Sequence, residues 1–188
     1  MTGRRLGYDV SPAADEIAPV RRAVDSALTK LLDWLVDRVA QHWLFLVNAG
    51  VGALAALPFV APYLLSVGLT DVAQVIYLAY SYTCHQVPER SWFLFGYQMA
   101  FCQRDTATYV AMLLAGLVYG ARGKLWRPLG LKGYLLLVAP LAVDGLTQAF
   151  GWRESTGLLR TVTGGLFGLA NVWLAYPYLR RAVEGLDV

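Results

Sequence analysis

The chain lacks every short motif that names a reaction. It has no glycine-rich phosphate loop, no dinucleotide fingerprint, no His-Glu-x-x-His pair and no nucleophile elbow, so chemistry reached by those routes is excluded. Nothing in it resembles a nucleic-acid-binding module, and its basic residues find their explanation in membrane topology. The first residues carry neither the early apolar core nor the small-residue cleavage site of a secretory signal. Cysteine and histidine are scarce, two of each, which leaves material for one metal set or one disulfide.

Apolar residues are abundant. A hydrophobic content of 57% over 188 residues, with a mean hydropathy of +0.46, is too apolar for an ordinary soluble domain and too short for more than one. The composition reads as a small integral membrane protein. Apolar runs at 42–67, 105–120, 131–150 and 157–179 each approach the ~20 residues that a spanning helix needs. The first is interrupted by Pro58 and Pro62, and the second is short enough to borrow from 97–102. A fifth run, 72–82, is half a span. In 16–41, Val20, Val24, Leu28, Leu31, Leu35 and Val39 recur among Arg21, Arg22, Lys30 and Arg38, the spacing of an amphipathic helix on the membrane surface or against the bundle. The expected fold is therefore all-α. Four transmembrane helices at 42–181 carry a re-entrant or interfacial half-helix, preceded by an amphipathic helix at 16–41, with flexible tails at 1–15 and 182–188.

Of the 16 Lys and Arg, six precede the first span, four lie between the second and third (Arg122, Lys124, Arg127, Lys132), and two follow the last (Arg180, Arg181). Placing these twelve in the cytoplasm satisfies the positive-inside rule and puts both termini inside a multi-pass cell-membrane protein. The remaining four, Arg90, Arg104, Arg153 and Arg160, then share the outer side. With this topology residues 71–101 make no net crossing, so they dip in and return or lie along the outer surface. Backbone of that kind is tolerated at membrane depth only where it lines a cavity or is packed in protein.

Two polar islands interrupt the apolar chain. One holds Cys84, His85, Arg90, Cys102, Arg104 and Asp105, and the other runs from Asp144 through Gln148, Arg153, Thr156 and Arg160 to Thr163. A charge at the bilayer centre costs roughly 3 kcal/mol on insertion scales, so such groups face a polar cavity and carry function. Asp144 and Gln148 are four apart on one helical face, and Arg153, Thr156, Arg160 and Thr163 make a polar stripe on the next helix. Asp144 lies six residues from the outer end of its span at Phe150, roughly 9 Å down. A carboxylate at that depth needs a partner, expected among Cys84, His85, Arg90, Cys102, Arg104, Arg153 and Arg160 or a metal they hold. A structural Asp–Arg network is one reading. The arginines outnumber their buried acidic partners, however, and arginine grips phosphate or carboxylate with two parallel bonds, so an anionic ligand is the sharper one. For the cysteines three readings stand: zinc held by Cys84, His85 and Cys102 with an open fourth position, a Cys84–Cys102 disulfide on an oxidising face, or two unlinked thiols. Gly164 and Gly168 form a small-residue step for close helix packing, and His42 beside Trp43 is an interfacial anchor.

The islands resemble the prokaryotic membrane-protein family called domain of unknown function 2085, in four motifs that occur here in order. These are Cys-His-Gln-x-Pro-x-Arg-Ser at 84–91, Cys-x-Arg at 102–104, Asp-Gly-x-Thr-Gln at 144–148, and Arg-x-Ser-Thr-x-x-x-Arg-x-x-Thr-Gly at 153–164. The resemblance covers about residues 75–170. Many relatives carry a further Cys where this chain has Asp105, a replacement that would change a ligand if those relatives bind a metal. The resemblance implies a membrane protein with a site at these residues and supplies no reaction.

The leading functional expectation is an outer-leaflet enzyme, zinc-dependent if the metal set is real, acting on an anionic lipid or isoprenoid-type substrate. Arg90, Arg104, Gln148, Arg153, Thr156, Arg160 and Thr163 would bind it, and Asp144, His85 and Asp105 would move protons. The alternatives are a thiol–disulfide or quinone-linked redox protein using Cys84 and Cys102, and a small-anion transporter or binding protein, for which four spans are few unless the chain forms a homo-oligomer.

Overall fold

A computed structural model describes residues 11–122 and 126–185. Along the chain, α1 spans Ser11–Ser66, α2 Thr70–Ser81, β1 Ser91–Leu94, β2 Tyr97–Cys102, α3 Gln103–Arg122, α4 Leu131–Ala149 and α5 Gly157–Glu184; a single 3₁₀ turn covers Pro88–Arg90. The protein is mostly helical, with one antiparallel two-stranded sheet. That sheet corrects the all-α expectation.

Two stretches are long and apolar enough to cross a membrane, Arg21–Ser66 within α1 and Gly157–Glu184. Only 22% and 33% of their most apolar windows are buried, so most of that apolar surface faces outward, as lipid-facing surface would. Helices also stand at the other two expected spans. They carry site residues: Arg104 and Asp105 on α3, and Asp144 and Gln148 on α4.

Two compact units divide between Trp43 and Leu44. In the first, the described residues are helical, and Val24, Leu28, Leu31, Leu35 and Val39 are all exposed. Of the tail expected at 1–15, residues 1–10 lie outside the described residues and 11–15 are helical. At the other terminus, α5 persists to Glu184, and 186–188 lie outside the described residues.

In the second unit α1 passes through Pro58 and Pro62 without a break, where the sequence suggested an interruption. Proline removes the amide that would bond the carbonyl four residues back. The Leu54 carbonyl freed by Pro58 instead accepts from the Tyr80 hydroxyl at 3.0 Å, so α2 supplies the bond that α1 gave up. Tyr80 then packs edge-on against Phe101, which stacks on Tyr109. Together with Ala61, Cys84 and Ala100 these rings form the core under the first polar island.

Residues 97–102, expected to lengthen the second span, form β2 instead. Phe95 and Gly96 both take positive φ, 54° and 82°, in a two-residue loop between the Leu94 and Tyr97 pair. This is the backbone whose twist suits a tight hairpin. The α3–α5 contact rests on two glycines. A Cβ on Gly164 would lie 2.3 Å from the Arg104 carbonyl oxygen, and one on Gly168 the same distance from that of Thr108. Only glycine lets the two backbones approach this closely.

Candidate functional site

The chain after α2 turns sharply to present Cys84 and His85. Gln86 sits at φ 50°, a left-handed conformation that costs a non-glycine residue about 1 kcal/mol. A network over-determines it. The Gln86 carboxamide donates to the Tyr77 and Ala100 carbonyls at 2.7 and 3.2 Å, and the Gln98 carboxamide donates to the Gln86 carbonyl at 2.6 Å. Tyr77 donates to the Gln98 carbonyl, and Ser91 to that of Val87 at 2.9 Å. The hairpin thus serves as a splint for the loop, and strain held this way pre-organises a site.

Below the loop lies a cavity of about 230 Å³. The loop contributes Cys84, His85 and Arg90, the end of β2 contributes Cys102, the start of α3 contributes Arg104 and Asp105, and α4 and α5 contribute Gln148 and Arg160. The first polar island therefore faces residues of the second across one space. With its carboxamide oxygen turned toward Arg90, Gln148 accepts from that guanidinium at 2.8–3.1 Å. Arg160 is only 6% exposed. Its Nε has no hydrogen-bond partner, and its guanidinium has no carboxylate within ion-pair distance among the described residues. An unpaired buried guanidinium is costly unless something fills the gap.

Asp144 does not line this cavity. It is 1% exposed and saturated: Arg104 donates to one carboxylate oxygen, Arg153 to the other at 2.6 Å, and Ser155 adds a third bond at 2.8 Å. Arg153 also donates to the Thr147 hydroxyl at 3.1 Å. The expected stripe on one helix is corrected here, because α5 begins only at Gly157. Arg153 sits in the turn before it, and Thr156 is the N-cap, its hydroxyl accepting from the Leu159 amide at 3.3 Å. Thr163 bonds back to the Leu159 carbonyl at 2.8 Å. None of these three lines the cavity.

The two cysteines stand side by side as free thiols in this structure. The Cys102 amide donates to Cys84 Sγ at 3.2 Å, and the Cys102 thiol donates to an Asp105 carboxylate oxygen at 3.1 Å. Their shared hydrogen bond holds the Cys84 thiol below the ordinary thiol range, against the opposing effect of burial. The same bond, with burial, pushes the Cys102 thiol up. One ligand atom from each of Cys84, Cys102 and Asp105 lies within 4.8 Å of the other two. His85 faces the same cavity from outside that group.

A profile of the family described as "Predicted membrane protein (DUF2085)" matches residues 84–174. An uncharacterized protein of Methanocaldococcus jannaschii is 38% identical over 126 residues, covering 63% of this chain and 81% of the relative. The chain belongs to this family. A second uncharacterized relative, from Methanothermobacter thermautotrophicus, is 32% identical over 90 residues, 48% of this chain and 81% of its own length. No solved structure matches. The family match begins at Cys84 and runs into α5, so it takes in every cavity residue named above.

The sequence gives no direct sign that Ser155 is buried against Asp144 or that Gln98 and Ser91 anchor the loop. Ser155 and Ser91 stand inside the motifs that carry the family resemblance, as does Gln86, whose side chain anchors the loop. Gln98 had one indirect signal, the aromatic residues on either side of Gly96 that mark a hairpin.

Proposed function

We propose that this family member is a polytopic membrane protein whose cavity binds the phosphate or carboxylate of an anionic lipid or isoprenoid-type substrate. One observation carries the reading: Arg90, Arg104 and Arg160 converge on a single cavity, and Arg160 is buried there with no carboxylate within ion-pair distance among the described residues. Counting Arg153, four arginines at the site face only two buried or half-buried carboxylates, Asp105 and Asp144. A dianionic headgroup supplies the missing charge, and its oxygens match the guanidinium forks. Tyr82, Phe95, Phe150 and Trp152 flank the cavity residues in the chain and are 64–83% exposed, as side chains at headgroup level are. His85, exposed on the cavity wall, is positioned to give or take a proton, the role that an enzyme acting on this substrate at the membrane interface would need filled.

In this reading α3 and α4 are the second and third of four spans. At ~1.5 Å per residue their 20 and 19 residues come to about 30 Å, the hydrocarbon thickness. The basic residues then place both termini in the cytoplasm and the cavity outside. Cysteines introduced near Arg122 should resist an impermeant maleimide in intact cells while those near Glu154 react; the reverse pattern overturns the topology. Binding is tested on the full chain in neutral detergent with a short-chain alkyl phosphate and the matching alkyl alcohol. The phosphate should bind and the alcohol should not, and equal binding of the two sinks the proposal. His85→Gln should keep the affinity and abolish turnover.

A second reading, a thiol–disulfide or quinone-linked redox protein, is favoured by the side-by-side free thiols of Cys84 and Cys102. Reversible formation of that disulfide at a potential near the cell's, without loss of fold, would select it.

A further inference from the structure

We propose that Cys84, Cys102 and Asp105 bind one thiophilic divalent metal ion, of the zinc class, and leave its fourth position open to the cavity. The inference deepens the anion-binding reading and rests on it only for the identity of the fourth ligand.

Geometry carries it first. One ligand atom from each residue falls within 4.8 Å of the other two, and Cys102 Sγ already stands 3.1 Å from Asp105 Oδ2. Zinc bonds of about 2.3 Å to sulfur and 2.1 Å to oxygen put tetrahedral ligand atoms ~3.5–3.8 Å apart. Rotamer shifts of about an ångström close the set without backbone movement.

The surroundings of the sulfurs fit thiolates. Backbone amides of Cys102 and Asp105 donate to Cys84 Sγ and Cys102 Sγ at 3.2 and 3.5 Å, outer partners of the kind that orient metal-bound sulfur. The three ligands come from three rigid places: a splinted loop, the end of β2 and the first turn of α3. Among the described residues no other group of His, Cys, Asp and Glu comes together in this way.

Charge does not oppose it. Among the described residues Asp105 makes no ion pair, and its carboxylate accepts from the Cys102 thiol. Two thiolates, one carboxylate and a divalent ion sum to the same single negative charge that the Asp105 carboxylate carries beside two protonated thiols, so the ion enters without changing the net charge that faces Arg90, Arg104 and Arg160. Binding releases the two thiol protons to solvent. Asp105 then ligates where the sequence suggested proton transfer, and His85, outside the set, stays free to act on whatever fills the open position. That occupant would be an oxygen of the anion gripped by the arginines, so the substrate class narrows to phosphates and carboxylates that can ligate a metal.

The test uses full-length protein in detergent, stripped with chelator and titrated with Co²⁺. A near-ultraviolet sulfur-to-cobalt band should saturate at one equivalent, collapse on adding zinc, and accompany the release of about two protons per ion. Zinc should also shield both thiols of the unmutated protein from alkylation, a readout that needs no variant to fold. Cys84→Ser and Cys102→Ser should remove the band, Asp105→Asn should weaken cobalt binding about tenfold or more, and Asp105→Cys should restore it. No band with both thiols reduced overturns the site, as does a band that survives both serine variants. Alkyl phosphate binding, measured on the stripped protein, is scored separately. Phosphate binding without a cobalt band removes the metal and leaves the anion reading. A cobalt band without phosphate binding keeps the metal and removes the anion.

Discussion

Asp144 and Arg160 are both charged, both buried and on adjacent packed helices, yet their surroundings are opposite. Around Asp144 the carboxylate is met on both oxygens by two arginines and a serine hydroxyl in a closed knot, although Arg104 keeps a buried Nε without a partner. Around Arg160 a guanidinium faces a cavity that Arg90 and Arg104 also line, and its Nε goes unpaired. A saturated ion cluster holds elements together, while an unsaturated one waits for a partner from outside. Arg104 belongs to both. One end of its guanidinium is fixed on Asp144 while its side chain lines the cavity, so the closed knot positions part of the open site.

The largest effect should come from opening the knot. Asp144→Asn leaves Arg104 and Arg153 without their counter-charge, and the loss should be about 3–5 kcal/mol. Chemical denaturation in detergent would measure it. A near-neutral result would mean that the cluster is solvated and the contrast false.

Arg160 should answer with the opposite sign. Arg160→Met removes an uncompensated charge, so the ligand-free protein should keep its stability or gain about 1 kcal/mol, while alkyl phosphate binding falls about 100-fold. Arg160→Lys keeps the charge but loses the planar fork, and should weaken binding about tenfold with the fold intact. If either variant unfolds like Asp144→Asn, both arginine environments are structural.

The smallest effect concerns the thiols of the chelator-treated protein. An acid with a lowered pKa forms its anion at lower pH, and the thiolate is the species that alkylates. As pH rises from neutral, Cys84 should therefore react with a small neutral reagent before Cys102, whose thiol is pushed up by the bond the two share and by burial. Peptide mass mapping across the pH range would show the order. Simultaneous modification would mean that the two sulfurs do not interact.

Much of this was readable along the chain. Helix positions follow from local hydropathy, since an apolar run of a given length needs a helix wherever it sits, and Asp144, Arg104 and Arg160 stand out because a charge in an apolar run demands a reason. The close approach at Gly164 and Gly168 is likewise written in four-residue spacing. Other features escaped because they depend on who comes opposite. Pro58 looks like a break until Tyr80 arrives to take the freed carbonyl, and 97–102 reads as helix until a hairpin pairs it. Nothing in the spacing separates Asp144, turned into a closed knot, from Gln148 one turn on, which opens to the cavity. The sequence alone determined which residues must be polar in an apolar setting, because the cost of burying a charge is a property of each residue. Tertiary structure alone decided which of those charges found partners and which face a cavity, because pairing is set by distances between segments the chain keeps far apart.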